Sequence, residues 1–351
     1  MRQGVTVPAA RVTLRDIARD AGVSVTTASR ALHGVTGGAR APSAATAARV
    51  RASAARLGYS RDQLATGLRT RRSRLLGMLV PRLTDPVLAT IYEGVEAAAR
   101  DAGYRTVVAN TFDDPDEQRA RAAVMLDHRV DGLIIGDGSD RGDLLADLDR
   151  RGVPFVLVSR RVDGHPAVTG DDVTGGRLVA EHLLERGHER VAVLAGEPYA
   201  STGRDRAAGF LERWSAAGRT VPAERVVHGP FDVAGGRWAM QRVLEAGPPP
   251  TAVFAVNDFT AIGAMGALRD AELRVGRDVA LVGYNDVSIS AELPVPLSTV
   301  AAPNDEMGRR AVELLVEILD GGRPDPVLLS PRLRVRASSA FGVPSSPDRY
   351  R

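Results

Sequence analysis

The stretch Val12-Thr-Leu-Arg-Asp-Ile-Ala-Arg-Asp-Ala-Gly-Val-Ser-Val-Thr-Thr-Ala-Ser-Arg-Ala-Leu-His-Gly34 decides how the front of the chain folds. Leu14, Ile17, Ala18 and Ala21 form an apolar stripe at helical spacing, with Thr13 placed to cap it. Gly22 allows a sharp turn, Val23 is an apolar plug and Ser24 is a second N-cap. A second helix is expected from about Val25 to Leu32, packing Ala28, Ala31 and Leu32 inward and leaving Val25, Thr26, Ser29 and Arg30 outside. Ser43 is placed to cap a third helix that carries Val50, Ala54 and Leu57 on one face. Two short helices joined by a glycine-containing turn form the bihelical unit that reads duplex DNA.

The charge supports that reading. The 351 residues carry 46 basic and 43 acidic groups, and every basic residue is arginine. Residues 1–74 hold 14 arginines against only Asp16, Asp20 and Asp62, a local charge of +11; the remainder stands at −8. A basic head on an acidic body suits polyanion binding by the head alone. The alternative for such a block is a disordered basic tail, but a tail has no reason to carry three phased, capped stripes. The chain has no cysteine, which excludes disulfides, thiolate zinc sites and cysteine nucleophiles. With no lysine there is no P-loop lysine and no Schiff-base chemistry. The N-terminus lacks a signal-like apolar run and no stretch reaches the ~18 apolar residues of a membrane span, so a cytoplasmic protein with no membrane partner is expected.

Behind the head, short apolar runs alternate with amphipathic segments. Strands are expected at Leu75–Val80, Thr106–Ala109, Gly132–Ile135 and Phe155–Val158, then at Val191–Leu194, Ala252–Val256 and Val279–Val282. Helical patterns separate them, and Ala102-Gly103, Arg186-Gly187 and Ala217-Gly218 punctuate helix ends. Two consecutive series of this kind predict an α/β body of two doubly wound lobes with parallel sheets and a ligand cleft between them.

The quoted string resembles the headpiece of the lactose/galactose/purine (LacI/GalR) repressor family, and the resemblance extends to roughly residue 340. It implies a helix-turn-helix headpiece (1–60), a hinge (61–74), a periplasmic-binding-protein-like effector and dimerisation domain (75–340) and a tail (341–351). Lobe one would comprise 75–170 and 300–327, lobe two 171–299 and 328–340. Carried over by position, Val25, Thr26 and Arg30 meet base edges: Arg30 suits guanine, and the other two suit a thymine methyl. Thr13, Ser24, Thr27, Ser29 and Ser43 suit phosphates. Gln63-Leu-Ala-Thr-Gly-Leu-Arg69 looks like the hinge helix, with Leu68 as the minor-groove wedge. Arg61 replaces the usual proline and Gly67 lowers helix propensity by about 1 kcal/mol, so a hinge that orders only on DNA is expected.

For the effector, the resemblance points to Arg206 in Thr202-Gly-Arg-Asp-Arg-Ala-Ala-Gly-Phe210, to Phe231 as an aromatic platform and to Asn285 after a strand. Asn257, Ser159 and Arg160 also follow strands and are further candidates. Three have a plainer alternative: a surface ion pair with Asp205 or Glu212 for Arg206, core packing for Phe231, and, at Asn257-Asp258, a helix cap supplied by Asp258. Purine-binding relatives carry aromatics where this chain has Val87 and Leu88, so a small sugar-like ligand is expected over a planar base. The tail has no leucine heptads, which favours a homodimer on a palindromic operator. His182 and His188 lie too far apart in sequence to share a metal, and Asp113–Glu117 is ordinary helix-start chemistry, so neither metal nor cofactor is expected. No nucleophile-elbow, dinucleotide or zincin motif is present, and an enzyme is not indicated. The rival on the same body, a solute-binding protein of a transport system, predicts an export signal and no DNA head.

Overall fold

The computed structural model describes residues 12–32, 41–59 and 72–341. The chain divides into two compact units, with the boundary between Arg71 and Arg72. In the first unit, helices α1 (Leu14–Asp20), α2 (Val25–Leu32) and α3 (Ala44–Arg56) pack around Ile17, Ala28, Ala31 and Val50. The caps act as the sequence suggests. Asp16 accepts from the Thr13 amide (2.9 Å) and hydroxyl (2.7 Å), Ser24 Oγ from the Thr27 amide (3.1 Å) and Ser43 Oγ from the Thr46 amide (3.2 Å). Gly22 turns the chain at φ +64°, a conformation that costs a side chain dearly. So small a core relies on polar ties as well: Arg49 Nε donates to the Ala21 carbonyl at 3.0 Å, and Asp20 receives both Ser53 Oγ and Arg56. The Ser53 hydrogen bond holds the Asp20 carboxyl below its ordinary range. Arg61, Gly67 and Leu68, and with them the hinge reading, lie outside the described residues.

The second unit holds two six-stranded sheets. Sheet one has the order β11-β5-β4-β3-β1-β2, built from β1 (Leu75–Val80), β2 (Arg105–Asn110), β3 (Gly132–Ile135), β4 (Phe155–Val158), β5 (Ala167–Gly170) and β11 (Val327–Leu329). Sheet two has the order β12-β10-β9-β8-β6-β7, built from β6 (Val191–Leu194), β7 (Val226–Val227), β8 (Ala252–Ala255), β9 (Ala280–Asn285), β10 (Ser298–Ala301) and β12 (Arg332–Arg334). All pairings are parallel except β10 with β12, which is antiparallel. Strands β3, β4, β6 and β8 are buried throughout, which is why they read as unbroken apolar runs.

The helices between strands are α4 (Pro86–Asp101), α5 (Pro115–Asp127) and α6 (Leu144–Arg150) in lobe one, and α7 (Asp172–Glu185), α8 (Ser201–Ala216), α9 (Val233–Glu245) and α10 (Asp258–Asp270) in lobe two; α11 (Asn304–Leu319) returns to lobe one. Helix pairs touch backbone to backbone. A β-carbon on Gly176 would fall 2.0 Å from the Arg206 carbonyl oxygen, and one on Gly209 would fall 2.1 Å from that of Val173, so α7 and α8 require glycine on both sides.

The lobes are joined by three crossings: Gly170 to Asp172, Ala301 to Asn304 and Leu329 to Arg332. Two lobe boundaries therefore shift from the sequence expectation. Residues 300 and 301 belong to lobe two, because β10 pairs with β9, and residues 328 and 329 belong to lobe one, because β11 pairs with β5. Sequence pattern locates a strand but not its neighbour, and only the neighbour assigns it to a lobe.

His182 and His188 do not converge on a metal. His182 Nε2 lies 2.7 Å from Ser339 Oγ, while neither ring nitrogen of the buried His188 has a hydrogen-bond partner. Burial, aided by Arg186, lowers both to about 4, against 6.5 when unfolded. The unfolded chain then binds protons that the fold refuses, so their stabilising contribution is complete above pH 6.5 and is lost as pH falls toward 4. Asp258, raised to about 6 by burial, works in the opposite sense, since its protonation below pH 6 favours the fold. The carboxyls of Asp85, Asp137 and Asp172, also raised by burial, act in the same sense as Asp258, so the imidazole contribution is read between pH 7 and 5 as a difference from wild type. The melting temperature of a His182→Gln/His188→Leu variant should fall less than that of wild type over that interval; parallel melting-temperature curves for the two proteins would contradict the burial argument.

Candidate functional site

In the head, α2 buries Ala28, Ala31 and Leu32 and presents Val25 (44% exposed) and Thr26 to solvent. Ser29 and Arg30 are half-buried beside them. An exposed β-branched apolar residue at the start of this helix contributes little to the fold of the head. Ser24 and Thr27 share a 2.8 Å hydroxyl contact at the same helix start, and Ser43 caps α3; Thr13, Ser24 and Ser43 are exposed.

In the body, the site follows from strand direction. The loops leaving the carboxyl ends of β1, β2, β4, β6, β7 and β8 converge between the lobes, where parallel α/β sheets place their ligands. There a cavity of about 480 Å³ is lined by Arg82, Asp85, Phe112 and Asp113 from lobe one and by Glu197, Tyr199, Phe231, Asp232 and Phe259 from lobe two. Hollows of similar volume between α4 and α11 and beside β4 are walled by lobe one alone.

The sequence-predicted effector residues behave differently from one another. Phe231 lines the cavity and packs where any side chain on Gly196 or Gly203 would collide with it. Arg206 is buried and faces neither Asp205 nor Glu212. Its Nε donates to Asp172 Oδ1 (2.8 Å), one Nη donates to the Val256 carbonyl (2.9 Å), and its guanidinium lies 3.8 Å from the Tyr284 ring centre. Burial pushes the Asp172 carboxyl upward against the pull of Arg206, which remains charged. Arg160 is likewise buried and bound by a two-pronged contact to Asp113, one prong at 3.0 Å. Ser159 occupies the left-handed region (φ 67°) and donates its amide to the Val168 carbonyl. Asn285 is similarly placed at φ 104°, with a buried Oδ1 that has no partner. Such backbone conformations in non-glycine residues cluster at ligand sites.

At the start of α10 the cap is Asn257 rather than Asp258, and neither residue lines the cavity. Asn257 accepts from the Thr260 amide (2.7 Å) and donates to the Phe231 carbonyl (2.8 Å), so it supports the platform. Asp258 turns inward, where the Val287 amide, Ser290 Oγ and Thr299 Oγ1 all donate to it. Val87 and Leu88 belong to the lobe-one core. Aromatic groups come from elsewhere: Phe112, Tyr199, Phe231 and Phe259 meet at one cavity although the chain has only 7 Phe and 6 Tyr.

Sequence reading missed Asp85, Phe112, Tyr199, Glu197 and Asp172. The signal for the first four was present, since each lies just beyond the carboxyl end of a predicted strand. Tyr199 also ties the lobes together, with the Arg141 guanidinium 3.4 Å from its ring centre. Arg161 adds a second tie through its amide to Ser201 Oγ (2.9 Å) and its Nε to Asp205 (3.1 Å).

A helix-turn-helix unit followed by a two-lobed α/β domain with an interlobe cleft defines a ligand-controlled DNA-binding regulator. Comparison with known proteins agrees. Residues 13–62 match the model of bacterial regulatory proteins of the lacI family, and residues 180–339 match that of a periplasmic binding protein-like domain. The HTH-type transcriptional repressor PurR of Klebsiella pneumoniae (strain 342) is 32% identical over 336 residues, 94% of this chain and 97% of that repressor. Among solved structures, the Lac repressor dimer bound to operator and the anti-inducer ONPF superposes with a TM-score of 0.85 at 29% identity, covering 94% of this chain and 99% of that one. The transcriptional regulator CelR in complex with cellobiose gives 0.72 at 31%, covering 93% and 100%. The chain belongs to the lacI family. It is a DNA-binding transcriptional regulator controlled by effector binding, and its relatives are repressors rather than enzymes or transport proteins. Among the described residues no helix is long and apolar enough to cross a membrane.

Proposed function

We propose that the protein is a homodimeric repressor that holds a palindromic operator through Val25, Thr26 and Arg30 on base edges and Thr13, Ser24, Thr27, Ser29 and Ser43 on phosphates. Leu68 is assigned the minor-groove wedge. The observation that carries this reading is the outer face of α2, which leaves Val25 and Thr26 exposed while every inward position is filled. The dimer follows from the likeness to the operator-bound Lac repressor dimer. A small sugar-like effector binds in the cleft at Phe231, Arg206 and Asn285, with Ser159, Arg160 and Asn257 shaping the walls. It changes operator affinity through its differential affinity for two lobe arrangements, an effect of typically ~1–3 kcal/mol.

The test is fluorescence-anisotropy titration of full-length protein on random duplex DNA across a salt series. Each phosphate neutralised by an arginine should contribute a slope of about −0.9 in log K against log salt, so a head that brings several of its 14 arginines to the backbone should lose orders of magnitude in affinity between about 50 and 200 mM salt. A salt-independent affinity would sink the assignment of the basic head.

A further inference from the structure

We propose that the cleft is built for an uncharged polyhydroxyl effector and excludes anionic ones, phosphate esters and sugar acids included, because its positive features are already occupied by the chain's own carboxylates. The inference rests on the reading of the cleft as the effector site. Two arginines lie behind the wall, outside its lining but close enough to act on Asp85, and both are taken: Arg160 by the lining Asp113 and Arg206 by Asp172. Two helix N-termini at the cavity wall, which would otherwise attract an anion, are filled as well. Asp85 accepts from the Val87 amide (2.9 Å) on α4, and Asp232 accepts from the Gly235 amide (2.7 Å) on α9.

What remains is negative. Glu197 adds a further carboxylate to the wall, and the sole cation among the described lining residues is Arg82, whose guanidinium lies 5.5 Å from the Phe112 ring centre. A phosphate or carboxylate entering here meets like charge from Asp85, Glu197 and Asp232 with no open counter-charge beyond Arg82. Hydroxyl groups meet the reverse situation, because carboxylate oxygens accept their hydrogen bonds. The faces of Phe112, Tyr199, Phe231 and Phe259 cover the C–H surfaces that a sugar ring presents.

Matched pairs of probes test the proposal on full-length protein by thermal shift and calorimetry at millimolar concentration: glucose and glucose 6-phosphate, ribose and ribose 5-phosphate, cellobiose and cellobionate, with glucosamine and inorganic phosphate alongside. At least one neutral member should raise the melting temperature and lose that effect in Phe231→Ala, while its anionic counterpart binds at least about 100-fold more weakly. A Glu197→Gln/Asp232→Asn variant should narrow that gap. Tight binding of any phosphate or sugar acid, hits confined to the amine, or no neutral hit would each overturn the proposal. DNA affinity read on the same preparation separates the two readings. Its absence strikes the regulator assignment, whereas intact DNA binding released by an anionic effector strikes only the charge argument.

Discussion

Asp172→Ala is expected to lower the unfolding free energy of the full-length protein by about 3–5 kcal/mol, the cost of leaving a buried charge without its partner. The magnitude follows from the asymmetry of the pair. Both side chains are 8% exposed, and Arg206 cannot shed its proton. With the carboxylate gone, Arg206 retains only the Val256 carbonyl and the face of Tyr284. It cannot swing out easily, because α7 and α8 approach so closely at Gly176 and Gly209 that neither helix has room to yield. Asp172→Asn keeps an acceptor for Nε and should cost distinctly less. Urea denaturation followed by far-ultraviolet circular dichroism measures both variants. A loss below about 1 kcal/mol for the alanine variant would mean that solvent reaches Arg206 and that the pair is not sealed.

Arg30→Ala should weaken binding to the preferred operator by about 1–3 kcal/mol, some 5- to 150-fold, while changing affinity for random DNA far less. The distinction lies in what the side chain reads. A guanidinium bidentate to the guanine edge discriminates among base pairs, whereas a phosphate contact weakens all sequences alike. Arg30 sits in the last turn of α2, beyond the exposed Val25 and Thr26. Competition binding against an operator library measures the change. An unaltered sequence preference would remove Arg30 from base readout and leave Val25 and Thr26 as the readers.

The elements legible from sequence were those whose signals are local. Helix α2 was placed at Val25–Leu32 because its cap, its turn glycine and its apolar stripe lie within a dozen residues of one another. Strands β3, β4 and β6 match their expected limits because both faces of each are buried. The two-residue β7 and the three-residue β11 and β12 are too short to carry a pattern. The site was less legible. Phe231 lines the interlobe cavity, whereas Arg206, expected at the effector, had a surface ion pair with Asp205 or Glu212 as its plainer alternative. Asp205 instead goes to Arg161 and Glu212 to Arg177, while Arg206 turns inward to Asp172.

By itself, then, the amino-acid order determined a three-helix basic head, the alternation of strands and helices behind it, and the loops in which a ligand site had to be sought. Capping, periodicity and local charge act over a turn or two of chain, and they suffice for that. Which carboxylate seals Arg206, which strands complete each lobe, and how four scattered aromatic rings come to line one cavity were decided only by tertiary structure. Those contacts join residues tens to hundreds of positions apart, and their energies exist only once the helices and sheets have packed.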